Sequence, residues 1–245
     1  MPKVIVITGA GVGLGRALAR AFAERGDKVV LLGRTAAKVE AVAAELGEAA
    51  LALSCDVSSP GSVKRAFDAI AEHHGHFDVL INNAAVFEPF KVVDATDEQI
   101  MSTLAVNLGG PILCSRAAVP LLSPGGHIIN VTSESICTTM PQLSIYRAAK
   151  AGVEEFSMAM SQEVEAEGVR VTTVRASKMY EEGKTWDVPM EAKIAFHEAC
   201  MKQGINLSEK PISQFTSVLG LFTTLVDLPA DIHVGHVSLQ ARSTP

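Results

Sequence analysis

A tyrosine and a lysine stand four positions apart in "SIYRAAK", residues 144–150. On a helix that spacing puts Tyr146 and Lys150 on one face. A phenol ionises near pH 10, so work near neutrality requires a shift of about three units, roughly 4 kcal/mol. One ammonium at about 4 Å supplies about that amount at an effective dielectric near 20. The pair can be an acid and its tuner, exchanging a proton with an oxygen. It can equally be an ordinary helix-surface pair, so its surroundings decide.

A second candidate site opens the chain, where the apolar run "KVIVIT" (3–8) leads into "TGAGVGLGRALA". Gly9, Gly11, Gly13 and Gly15 precede a helical pattern. Bare backbone lets a phosphate approach closely, and a helix N-terminus offers unpaired N–H groups and a positive dipole end. Gly9, Gly13, Leu14 and Gly15 are the expected cofactor contacts. The glycines fit no frame of G-x-G-x-x-G, and no lysine follows as in an ATP-type P-loop. A tight strand-to-helix turn is the plain alternative.

About twenty residues on, a nucleotide-binding unit holds an acid for the adenosine ribose or an arginine for a 2′-phosphate. Here the text is "LLGRT": Gly33 takes the acid's place and Arg34 follows. A guanidinium there suits the extra phosphate of NADP, so NADP is expected in preference to NAD. Thr35 is expected to cap the next helix beside the cofactor. Asp56 and Val57, just past the third strand, are placed for the adenine; an aspartate turn before Pro60 is the alternative.

Elements must carry these residues to one place. "KVIVIT", "KVVLLG" (28–33), "ALALSC" (50–55), "FDVLIN" (77–82), "HIINVT" (127–132) and "VRVTTV" (169–174) read as strands buried on both faces. Helical stretches lie between them, such as "GRALARAFAERG" with Leu14, Ala17, Leu18, Ala21 and Phe22 on one face. The alternation predicts an α/β fold: a doubly wound, mostly parallel sheet with helices on both faces, ligands lying beyond the strands' carboxyl ends. The 245 residues are expected to form a single domain, 1–245, with a polar, irregular insertion at about 178–210.

A net charge of -6 with scattered Lys and Arg argues against nucleic acid or an anionic membrane as partner. No run of eighteen apolar residues and no signal-like leader appear, so a cytoplasmic location is expected. Cys55, Cys114, Cys137 and Cys200 lack CxxC spacing and read as buried, reduced thiols. "HHGH" (73–76), His233 and His236 lack supporting ligands, so no metal is expected.

"TGAGVGLG", "DV", "NNAA", "VNL", Ser133 and "YRAAK" occur in the order seen in the short-chain dehydrogenase/reductase family, which the chain resembles over roughly residues 3 to 175. The resemblance implies a Rossmann-like fold and an NADP(H)-dependent oxidoreductase that interconverts a carbonyl and an alcohol. Its catalytic set maps onto Asn107, Ser133, Tyr146 and Lys150. Tyr146 would exchange the proton while the nicotinamide exchanges hydride, and Ser133 would hold the same oxygen. Lys150 would also hold the nicotinamide ribose, and Asn107 would support a water chain to Lys150. Asn83, Ala84 and Ala85 of "NNAA" would line the cofactor. Each has a plain alternative: a strand-end turn for Ser133, a buried helix amide for Asn107, an interface aromatic for Tyr146, an Asn-rich turn for Asn83.

The likeness breaks after the sixth strand. Ala176 and Ser177 replace the family's Pro-Gly, and Glu181 stands where a threonine contacts the nicotinamide carboxamide. These departures favour an alternative, a catalytically silent nucleotide-binding or scaffold protein of the same fold. The four catalytic positions favour the enzyme, acting on a bulky, moderately apolar ketone or alcohol. Met190, Ile194, His197 and Met201 along one face, with Met179, Tyr180 and Trp186, are expected to form a substrate lid, packing of the stripe on the core being the plain alternative. Small residues Ala148, Ala149, Ala151 and Gly152 permit close helix packing, and the resemblance suggests a homodimer or homotetramer through them.

Overall fold

The computed structural model describes residues 2–180 and 188–243. All six apolar runs form strands: β1 (Val4–Thr8), β2 (Lys28–Gly33), β3 (Ala50–Ser54), β4 (Phe77–Asn82), β5 (Leu122–Ser133) and β6 (Arg170–Ala176). In β1, β2, β4 and β5 the middle residues, among them Ile5, Val6, Ile7, Leu31, Leu80 and Ile128, are fully buried, as strands covered on both faces require, whereas β3 at the sheet edge is only half-buried, correcting the expectation for that run. Two very short strands, β7 (Met179–Tyr180) and β8 (Ser213–Gln214), pair with each other apart from the main sheet. A further strand, β9 (His236–Ser238), closes one edge of the main sheet. Nothing in the sequence marks it as a strand, because three largely exposed residues carry no apolar run.

The seven main strands are parallel in the order β3-β2-β1-β4-β5-β6-β9. The chain winds outward from β1 to β3, then returns across β1 to β4. The switch between β1 and β4 leaves a crevice at the strands' carboxyl ends, where ligands of such sheets bind. Helices α1 (Gly13–Glu24) and α2 (Ala36–Leu46) bury their apolar stripes on one face. α3 (Pro60–His74) covers the other. Next come α4 (Asp97–Leu104), one wide π turn (Ala105–Gly109), α5 (Gly110–Ala118), α6 (Ser144–Glu163), α7 (Met190–Lys202) and α8 (Leu219–Asp227). α5 and α6 join α3 on its face, and α8 joins α1 and α2.

Among the described residues one helical stretch, Asp97–Leu121, is long and apolar enough to cross a membrane by length and composition, with mean hydropathy 1.3. Its Val106, Cys114 and Ala118 are packed into the core beside the sheet.

A ladder of buried polar groups ties α5 and α6 to the sheet. Asn82 and Asn130 are register partners on β4 and β5. Asn82 Nδ2 donates to Asn130 Oδ1 at 2.8 Å and to Ser115 Oγ of α5 at 3.1 Å. Asn130 Nδ2 donates to Ser157 Oγ of α6 at 2.8 Å, and that hydroxyl donates to the Val153 carbonyl at 2.6 Å. Only Asn82 Oδ1 lacks a protein partner in this group. An unpaired buried group costs about 1–3 kcal/mol, so the ladder selects which turns of α5 and α6 face the strands.

His127, also on β5, is 2% exposed. Thr172 Oγ1 donates to the Val234 carbonyl at 2.6 Å, so in the 2.7 Å contact between His127 Nε2 and Thr172 Oγ1 the imidazole is the donor. Burial, aided by the nearby Arg170 charge, lowers the His127 pKa to about 3. An unfolded histidine titrates near 6.5. Between those values the unfolded chain binds a proton that the folded chain refuses. The stability this residue contributes above pH 6.5 is therefore lost as pH falls toward 3, by at most about 1.4 kcal/mol per pH unit. Denaturant unfolding at pH 7, 6 and 5 is expected to show that loss, and His127→Gln, which keeps a donor at the Nε2 position, is expected to flatten it.

Candidate active site

β1 ends at Thr8 and α1 begins at Gly13. Gly9 (φ 67°) and Gly13 (φ 58°) hold left-handed conformations that glycine adopts without steric cost. Gly15 meets a different limit: a Cβ there would lie 2.4 Å from the Gly9 carbonyl oxygen and 2.6 Å from Asn83 Nδ2. Thr8, absent from the sequence-derived set, holds the turn. Its buried Oγ1 accepts the backbone N–H groups of Asn83 (2.9 Å) and Ala84 (3.0 Å). Asn83 Nδ2 donates to the Thr8 carbonyl at 3.0 Å, so its side chain staples the glycine turn to the end of β4. Ala84 is half-buried and Ala85 exposed beside it. The available signal for Thr8 was a hydroxyl residue closing an apolar strand before glycine.

Side-chain N-caps occur on α3 and α4 and are absent from α1, α2, α5, α6, α7 and α8. α3 is capped by Ser59, and α4 carries a full capping box of Thr96 and Gln99. α1 has Val12 at its N-cap, no side-chain cap and no acid in its first turn. α2 has Thr35 at its N-cap, but the Thr35 side chain makes no capping bond, contrary to the expectation. The first-turn amides and positive ends of α1 and α2 thus suit an anion. Leu14 contributes backbone only, since its side chain is buried in the core.

Arg34 is exposed at the start of α2. Gly33 has a packing reason of its own, because a Cβ would fall 2.7 Å from Val39 Cγ1. Asp56 Oδ1 accepts the Ser58 N–H (2.9 Å) and hydroxyl (2.6 Å), so its carboxylate forms the turn raised as the alternative. Val57 is buried, and a Cβ at Gly110 would meet its Cγ2 at 2.8 Å.

Ser133 ends β5, and Tyr146 lies in the first turn of α6. The Ser133 hydroxyl acts on the phenol from the strand end, favouring its ionised form. Ser133 Oγ also accepts the Ser135 N–H at 3.2 Å. One helical turn after Tyr146, Lys150 is 3% exposed and donates Nζ to the Val131 carbonyl at 2.9 Å. Both members of the pair therefore face the end of β5. The tuning expected between them is corrected. Burial raises the Tyr146 pKa above its usual value near 10, against the lowering effect of the Ser133 hydroxyl. Burial lowers the Lys150 pKa to about 8. Neither shift has the other group as a cause. A low-dielectric setting penalises both charged forms, and the ammonium is directed at a carbonyl.

Asn107 is fully buried in the wide turn between α4 and α5. Its Nδ2 donates to the Val86 carbonyl (2.9 Å) and its Oδ1 accepts the Val86 N–H (3.1 Å). The side chain thus anchors the segment leaving β4. Gly152 packs against Leu108 of the same turn, while Ala148 is exposed.

Phe87, which carried no motif, meets Tyr146 edge-on with ring centroids 5.1 Å apart. Phe196 of α7 lies 6.4 Å beyond Phe87. Phe196 and Cys200 turn inward with Leu143, against Phe87, Met140, Ile205 and Leu207. The expected lid stripe is therefore corrected: Met190, Ile194, His197 and Met201 face outward. Apolar residues occur around much of α7, so periodicity alone did not select its inner side. Glu181, Gly183 and Trp186 lie outside the described residues. Cys55, Cys114 and Cys200 are buried, whereas Cys137 is exposed, correcting the reading of four buried thiols.

The described residues contain no cluster of three or more His, Cys, Asp or Glu side chains suited to a metal. The site instead offers the open backbone of the glycine turn together with a half-buried serine and tyrosine and a buried lysine, an arrangement that fits a dinucleotide.

The chain matches the short chain dehydrogenase family model over residues 3–182. It is 35% identical to D-threitol dehydrogenase from Mycolicibacterium smegmatis, covering 76% of this chain and 75% of the relative. Among solved structures it superposes on a 3-ketoacyl-(acyl-carrier-protein) reductase from Brucella melitensis complexed with NADH, with TM-score 0.81, 27% identity and 97% and 96% of the two chains covered. An alcohol dehydrogenase from Thermococcus sibiricus complexed with 5-hydroxy-NADP shares the fold, with TM-score 0.83, 24% identity and 100% and 99% of the chains covered. With the glycine turn, the parallel sheet and the Ser133–Tyr146–Lys150 arrangement, these matches make the chain a member of the short-chain dehydrogenase/reductase family, an NAD(P)-dependent oxidoreductase.

Proposed function

We propose that this protein is an NADP(H)-dependent carbonyl reductase or alcohol dehydrogenase with Tyr146 as its general acid and base. The observation that carries the reading is the convergence of Ser133, the last residue of β5, with Tyr146 in the first turn of α6 and Lys150 buried one turn further on against the Val131 carbonyl. When bound, the nicotinamide supplies or accepts hydride at the carbon. Ser133 holds the carbonyl oxygen, and Tyr146 gives that oxygen its proton; in oxidation Tyr146 takes the proton back. Because burial raises the Tyr146 pKa, the phenol carries its proton at neutral pH, as a reductase requires. Lys150 is the cation available to the phenolate that remains. Asn107 acts through the segment it anchors at Val86.

The amides around Gly9, Gly13, Leu14 and Gly15 hold the pyrophosphate in this reading. Arg34, with Thr35 and the open end of α2, receives a 2′-phosphate. No acid stands at the end of β2 to favour a free ribose hydroxyl. Asp56, Val57, Ala84 and Ala85 border the adenosine side. Residues 178–180 and 188–210, the described part of the expected insertion, act as a lid on a single domain, and Phe87, Leu143 and Phe196 give the site an apolar wall for a bulky ketone or alcohol. α6 is the surface for a homodimer or homotetramer.

In an NADPH-consumption assay over a panel of ketones, Tyr146→Phe is expected to lower the rate by about 10² to 10⁴; an unchanged rate would exclude the acid role. Arg34→Ala is expected to weaken NADPH by about tenfold or more while leaving NADH nearly unaffected, and equal weakening of both would overturn the NADP assignment. Reduction is expected to slow above about pH 8 as Lys150 loses its charge. Lys150→Arg, which stays charged, is expected to move that limb upward, and a limb that stays in place would remove Lys150 as its source.

A further inference from the structure

The geometry points to Lys178 as a positioning residue that fixes the lid over the site, with Glu134 as its partner. The inference rests on the oxidoreductase reading above and concerns the segment where this chain lacks Pro-Gly. Ser133 and Ala176 are register partners, so the chains leaving β5 and β6 emerge side by side. The next residue of the first is Glu134, whose Oε1 accepts the Lys178 backbone N–H at 3.0 Å. The loop that begins at Ser133 is thereby tied to the strand that enters the lid.

The other polar groups of Lys178 reach the far end of the lid. Its carbonyl accepts the Ser213 N–H at 3.1 Å, beside the β7–β8 pairing of Met179 with Ser213 and Tyr180 with Gln214. Its half-buried Nζ donates to the Leu207 carbonyl at 3.0 Å, a charge-assisted bond to the segment leaving α7. One residue thus joins the entry of the lid, its exit and the loop after Ser133. Between those anchors α7 applies Phe196 to Phe87, and Phe87 touches Tyr146. A displaced lid shifts the wall beside the phenol while leaving the glycine turn, on the other side of β4, unmoved.

Lys178→Met keeps the apolar stem and backbone bonds but removes the Leu207 contact. In the full-length protein, amide exchange across residues 190–213 is expected to quicken about tenfold, the scale of one lost charge-assisted hydrogen bond. Substrate KM is expected to rise by a similar factor, with kcat, NADPH affinity and Tm nearly unchanged. Lys178→Arg, which retains a charged donor of similar reach, is expected to restore both readouts. Unchanged protection of 190–213 in Lys178→Met would overturn the anchor, as would faster exchange spread evenly through the protein with a lowered Tm. If no ketone or alcohol is turned over, the oxidoreductase reading fails, while the exchange data still decide whether Lys178 holds the lid.

Discussion

The hydrogen bond between Asn82 and Asn130 is the constraint on which the site depends. A parallel sheet has no hairpins to fix its strands in register, so neighbouring strands need some other local discriminator. Here two amides that cannot be left unpaired in an apolar layer meet only when β4 and β5 align. The same amides engage Ser115 and Ser157, which sets α5 and α6 on those strands. From this alignment follow the position of Ser133 at one strand end, the approach of Tyr146 and Lys150 from α6, and the seating of Asn83 under the glycine turn.

Burial then governs the chemistry. Removing water acts in opposite directions on an acid that would become negative and on an amine that is already positive. Tyr146 retains its proton more strongly and Lys150 holds its own less strongly, so both groups move toward their neutral forms and not toward a pre-formed ion pair. In the proposed reduction a phenol of this kind would be the acid that meets an oxygen on which negative charge develops. Phe87 and Phe196 extend the same apolar environment to α7.

The main architecture was legible because buried parallel strands write themselves as unbroken apolar runs. All six such runs became strands, while β9, short and exposed at the edge, left no comparable trace. Glycine positions were also legible, since left-handed backbone and close approach admit few other residues. Side-chain roles were less so. For Asn83, Asn107 and Asp56 the sequence leaves a ligand-facing role and a loop-shaping one both open, and their side chains bond to the protein's own backbone or to Ser58. One sequence cannot distinguish a polar group that meets a ligand from one that shapes the loop meeting it. Thr8 and Phe87 escaped notice because their partners are remote in the chain, and α7 was turned the wrong way because its apolar residues do not lie in one stripe.

The open ends of α1 and α2 bear on how such a protein can diverge. Recognition through main-chain amides is written in the course of the chain and not in the identity of its side groups. Point mutation alters a side group but leaves almost every peptide N–H in place, proline excepted. A binding surface of this kind is therefore insulated from genetic drift at most positions and vulnerable at the few where bulk or handedness intrudes, such as Gly9, Gly13 and Gly15. A chain sharing about a quarter of its residues with distant kin can thus retain a common grip on one ligand class while its outer walls change freely.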